Sequence, residues 1–173
     1  MVKRIVLLLI LAALCIAFQA CNGCSEQKEM VKPEFNEEKG QRNTVKLHMG
    51  GVPVTLEVAK TNQEKARGLM HRKKLPPDRG MIFIYPEPKV MSFYMRDTVI
   101  PLSIAFIRSD GTIVNIEEMR PLVVEPSYMS KSMCLYAIEM NQGWFEAHGI
   151  QAGEKIELTD EIKAIEAEPS SNH

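Results

Sequence analysis

At 173 residues and a formal net charge of -1, with 21 basic against 22 acidic residues, the chain supplies one domain and no cationic excess to neutralise phosphates, which excludes nucleic acid as an expected partner. Hydrophobic residues at 45 % and charged residues at 25 % are ordinary globular values and exclude disorder for the bulk of the chain. Cys15 lies in an apolar leader, Cys21 and Cys24 flank its end and Cys134 stands alone downstream, so no disulfide framework can form within the fold.

Lys3 and Arg4 precede an apolar run from Ile5 to Phe18. At roughly 14 residues it fits a signal h-region and falls short of the ~20 that span a bilayer, so residues 1–20 read as a secretory signal peptide. A cut after Ala20 places Phe18 at the third position before it, where signal peptidase I wants a small residue. Ala20 followed by Cys21 instead resembles a loose bacterial lipoprotein box, with Phe18 and Gln19 in place of the usual aliphatic and small residues. Cys21 is the expected lipidated N-terminus and Cys24, after Gly23, the fallback. Residues 21–43, rich in Glu, Lys, Gln and Asn, cannot bury enough apolar surface to offset ordering and read as a polar tether. The expected location is the bacterial cell envelope, facing the periplasm or the exterior, with the membrane as partner through the lipid.

The domain spans 44–166. Val52, Val54, Leu56 and Val58 alternate as a half-buried strand, with Val45 to Met49 its hairpin partner across Gly50 and Gly51. Thr61 and Glu64 form a capping box that predicts a short helix toward Met70, weakened at its end by Gly68. Leu75 to Gly80 reads as a loop, and Met81 to Tyr85 and Met91 to Met95 as strands separated by a turn at Pro86 and Pro88. Leu102 to Ile107 and Thr112 to Glu117 flank Ser109, Asp110 and Gly111 as a hairpin. Leu122 to Val124, Leu135 to Met140 and Lys155 to Leu158 complete the strands, with a helical turn from Trp144 to His148 ended by Gly149 and a frayed tail at 167–173. Short, closely spaced strands predict a mainly β fold: one compact antiparallel β-sandwich or barrel-like domain with one or two short helices.

Several strings carry a family resemblance. Gly68-Leu69-Met70-His71-Arg72, Gly80-Met81-Ile82-Phe83, the run from Phe93 to Leu102, Asp110-Gly111-Thr112-Ile113, Ala137-Ile138-Glu139 and Gly143 resemble, in order and spacing, the domain of unknown function 192 family. The resemblance covers about Val45 to Leu158 and implies a compact β-sandwich-like domain, often behind a bacterial leader, with no established activity. Two positions depart from the family pattern. Tyr94-Met95-Arg96-Asp97-Thr98 stands where Trp-Met-x-Asn-Thr is usual, and Pro101-Leu102-Ser103 where Pro-Leu-Asp is usual. An activity that needed that Asn or Asp would be absent here.

Arg72, Tyr94, Arg96, Asp97, Thr98 and Glu139 are the candidate binding residues, because they combine charge, hydrogen bonding and an aromatic face beside bulky apolar neighbours. Asp97 and Thr98 equally suit backbone bonding in a sharp turn before Pro101. Asp97 and Glu139 would serve a hydrolase as a carboxylate pair only at the right separation. His48, His71 and His148 lack metal-ligand spacing, and no nucleophile elbow is present. Met91 with Met95, or Met129 with Met133 and Cys134, offer soft ligands for Cu(I), against the commoner role of methionine as core filler. No cofactor and no other metal is expected. The expected function is a binding or accessory module for a small ligand, glycan or partner protein; the alternatives are a small envelope hydrolase or transferase using Asp97 or Glu139, and Met-based Cu(I) binding.

Overall fold

The computed structural model describes residues 43–167. Strand β1 (Thr44–Met49) pairs antiparallel with β2 (Val52–Ala59) in the register Val45↔Leu56, turning at Gly50 and Gly51. Helix α1 (Asn62–Arg67) starts at the Thr61 capping box: the Thr61 hydroxyl accepts from Glu64 N–H at 3.2 Å while the Glu64 carboxylate accepts from Thr61 N–H at 2.8 Å. It ends at Gly68, whose φ of +47° is open to glycine and costly for a residue with a Cβ. The remaining elements are β3 (Arg79–Lys89), β4 (Ser92–Phe93), β5 (Leu102–Ile107), β6 (Ile113–Met119), β7 (Tyr128–Met129), β8 (Cys134–Asn141), α2 (Trp144–Ala147) and α3 (Asp160–Ala167).

Six strands form one mixed sheet in the order β1-β2-β3-β8-β5-β6, and β4 and β7 form a second, two-stranded sheet. The domain is mainly β, as expected, and its pairings are antiparallel except β2 with β3, which run parallel at Leu56↔Gly80. A parallel pair needs a crossover rather than a tight turn, and the segment carrying α1 supplies it. β5 is buried along its whole length and β8 at every position but Asn141, because apolar side chains cover the sheet on both faces. One face packs Val45, Leu56, Tyr136, Phe145 and Ile162; the other packs Leu69, Phe83, Phe93, Met95 and Phe106. On the second face Phe93 stands edge-on to Phe83 at 4.9 Å and near Phe106 at 5.8 Å, locking the small sheet onto the large one.

Four expectations are corrected. β3 runs through Pro86 and Pro88 as one strand, because this stretch is exposed and lies where the β3–β8 register shifts, so the missing amides break no regular ladder. Of Met91 to Met95 only Ser92 and Phe93 are strand, paired with Tyr128–Met129, and Leu122 to Val124 forms no strand. Leu122 sits at φ +64°, which a strand cannot accommodate. Lys155 to Leu158 contributes a single bridge, Thr112↔Lys155, as it passes the β5–β6 turn. There Gly111 is required, since a Cβ would lie 2.4 Å from the Ile156 carbonyl oxygen. The structure also has a terminal helix, α3, whose fully buried Ile162 contributes roughly 1.5–3 kcal/mol. α3 is further tied down by bonds from the Tyr136 hydroxyl to the Glu166 carboxylate and from the Lys60 ammonium to the Ile165 carbonyl.

Candidate functional site

A cleft of about 250 Å³ opens on the second face of the sheet. The last turn of α1 and its exit provide one side through Lys65, Arg67, Gly68 and Leu69; Ser92, Phe93, Tyr94 and Thr98 provide the other. Phe83 and Tyr85 from β3 and Glu139 from β8 complete it. The two flanking segments are fastened together beside the cleft, where His71 N–H donates to the Asp97 carbonyl at 2.8 Å.

Glu139 points to this face because it shares it with Met81 and Ile104, its register partners on β3 and β5. It is only 6 % exposed. Among the described residues its carboxyl has no hydrogen-bond partner, and since no wholly buried polar atom is left unpaired, its oxygens open on the cleft. Burial pushes its pKa up to about 8, so the group is a neutral acid at pH 7 and a hydrogen-bond donor. The phenol of Tyr85 is raised as well, first by burial and then by the nearby Glu139 carboxylate. Lys65 lies over the Tyr85 ring at 4.6 Å and donates to the Ile84 carbonyl at 3.3 Å; burial, then Lys89, lowers its pKa.

Of the candidates read from the sequence, Tyr94, Thr98 and Glu139 line the cleft and the other three do not. Arg72 is turned to β2, where its guanidinium donates to the Glu57 carboxylate at 2.7 Å. Arg96 stacks over the Tyr94 ring at 5.1 Å. Asp97 is exposed at φ +53°, in the turn closed by Thr98 N–H on the Met95 carbonyl at 3.2 Å. Thr98 itself donates to the Arg96 carbonyl at 3.1 Å. Asp97 and Glu139 therefore do not share the cleft. Met91, Met95 and Cys134 are buried in the core, with the Cys134 thiol raised by burial, while Met129 and Met133 are exposed. Among the described residues no three His, Cys, Asp or Glu side chains gather as a metal site, and no helix is long and apolar enough to cross a membrane. Cys21 and Cys24 lie outside the described residues.

The model of the domain of unknown function 192 family, described as an uncharacterized ACR, matches residues 44–158. The chain belongs to the DUF192 family. Its DUF192 domain is similar to a solved structure from Sinorhizobium meliloti 1021, provisionally described as a transcription regulator. That match has 30 % identity, covers 68 % of this chain and 97 % of that one, and has a TM-score of 0.62. A protein of unknown function from Novosphingobium aromaticivorans DSM 12444 matches at 33 % identity, covering 66 % and 84 %, with a TM-score of 0.60. No curated protein matches.

Both departures from the usual DUF192 pattern have structural accounts. Position 97 needs a residue that tolerates positive φ, as Asn and Asp do. Ser103 pairs with Met140 and lies on the opposite face from the cleft. Its hydroxyl donates to Glu118 at 2.6 Å and accepts from Gly143 N–H at 2.8 Å, while the Glu118 carboxylate takes the same N–H at 3.2 Å. Ser103 and Glu118 together thus supply the acceptors for the amide at the start of α2. Reading the DUF192 sequence alone misses Lys65, Arg67, Phe83, Tyr85 and Ser92 as cleft residues. The available signal was Glu139, a lone acid in the apolar run from Leu135 to Met140.

Proposed function

We propose that this DUF192 domain is a binding module of the bacterial envelope, tethered through a lipid on Cys21, that receives a small ligand in the cleft over Glu139. The Glu139 carboxyl carries this reading. A carboxyl only 6 % exposed that finds no hydrogen-bond partner among the described residues leaves bonding capacity that a ligand in the cleft can take up. The cleft joins aromatic walls to polar and charged side chains that can orient a ligand, a combination found at small-molecule sites.

The raised Glu139 is also what a general acid requires, which supports a second reading as a small hydrolase or transferase. Binding is favoured because a carboxylate-pair mechanism needs a second acid, and Asp97 is outside the cleft. A nucleic-acid-binding role of the kind the Sinorhizobium protein's description suggests lacks support, since a net charge of -1 provides no basic excess for nucleic acid.

A thermal-shift screen of small metabolites on the full chain tests the cleft, paired with Ser92→Trp to block its exposed edge. A ligand at a hundred times its Kd should stabilise the wild type by about 2.7 kcal/mol and leave the variant unmoved. Compounds that stabilise both proteins equally would place binding elsewhere. Labelling by a fatty-acid probe should vanish in Cys21→Ser; undiminished labelling moves the anchor to Cys24.

A further inference from the structure

We infer that the cleft over Glu139 selects a small organic carboxylate with an apolar body, its head held by the Glu139 carboxyl and the Tyr85 hydroxyl. This rests on the binding-module reading and adds the ligand's charge to it.

Basic side chains outnumber acidic ones on the cleft wall. Lys65 and Arg67 from α1, and Tyr85 from β3, face the same cleft as Glu139, and among the described residues no other carboxylate lines it. Tyr94 lines it from the segment after β4, while the β3 and β5 neighbours of Glu139 in register, Met81 and Ile104, are apolar. As a neutral acid, Glu139 offers a proton to an oxyanion, the role a protonated carboxyl takes in other oxyanion sites. Leu69, Phe83 and Phe93 leave the rest of the ligand an apolar bed.

A cationic ligand fits poorly. The two tyrosine faces already carry protein cations: Lys65 at 4.6 Å and Lys89 at 5.3 Å from the Tyr85 ring centre, and Arg96 at 5.1 Å from that of Tyr94. It would also meet Arg67 on the cleft wall.

Protonated Glu139 donates to the carboxylate, whereas ionised Glu139 repels it, so affinity is flat on the acid side and falls above about pH 8. Benzoate, benzyl alcohol and benzylammonium present one aromatic body in three charge states. Each is titrated into the full chain, kept in detergent for its apolar leader, and followed by NMR at the amides of Lys65 to Leu69 and at Glu139. Benzoate should bind most tightly and benzylammonium least, and benzoate should lose about tenfold in affinity from pH 6.5 to pH 9. Glu139→Gln, which keeps a donor of the same shape, should retain benzoate binding and lose its alkaline fall.

Tighter benzylammonium binding, equal binding of the alcohol and benzoate, or an alkaline fall that persists in Glu139→Gln would overturn the carboxylate inference and leave the binding module standing. If none of the three perturbs these amides, the inference fails. If the metabolite screen is blank as well, the binding-module reading fails with it.

Discussion

Glu139 is the residue at which fold and function conflict. Its pKa in the fold, about 8, lies above the ordinary 4.5, so the protonated form is the one that folding favours. The corresponding stability is present in full below about pH 4.5 and is lost as pH rises toward and through 8. Chemical denaturation should show the wild type losing roughly 3–4 kcal/mol between pH 5 and pH 8 relative to Glu139→Gln. A gap that stays constant with pH would mean that the carboxyl is ionised in the fold. Asp97 has the opposite character, an exposed side chain chosen for its backbone. At φ +53° it should accept Asn or Gly with little change, while Asp97→Val should cost about 1–2 kcal/mol in thermal unfolding and leave ligand affinity intact. Lost affinity with unchanged stability would return Asp97 to the binding site.

Among the elements, α1 matters most for the cleft and has the least support of its own. It is six residues long and buries none of them, so its capping box does much of the work of holding it. Thr61→Ala removes the hydroxyl that accepts the Glu64 amide and should lower stability by about 1 kcal/mol in urea denaturation. Because Lys65 and Arg67 ride on this helix, the same variant should bind cleft ligands more weakly, an effect absent if the wall is set by the sheet alone. β3 makes the complementary contribution. It places Phe83 and Tyr85 in the cleft while its exposed end, carrying Pro86 and Pro88, continues past the core.

Across the whole domain, apolar clusters cover both faces of the central strands of the six-stranded sheet, and the cleft lies where the small β4–β7 sheet and the α1 exit meet one of those faces. The sequence by itself determined the local pieces: the β1–β2 hairpin, the Thr61 cap, the β5–β6 turn and the apolar run of β8. Each depends on neighbours in the chain, through alternation, capping or turn chemistry. It also carried the family, whose motifs span the domain. Only the tertiary structure decided that β2 and β3 run parallel, that β4 finds β7, and that α3 docks, because these depend on which distant apolar faces cover one another. The same holds for the site. Glu139 was legible as an acid in an apolar run, but its isolation from Asp97, and its company of Lys65, Arg67 and Tyr85, arise from the crossover through α1 that brings these segments to one face of the sheet.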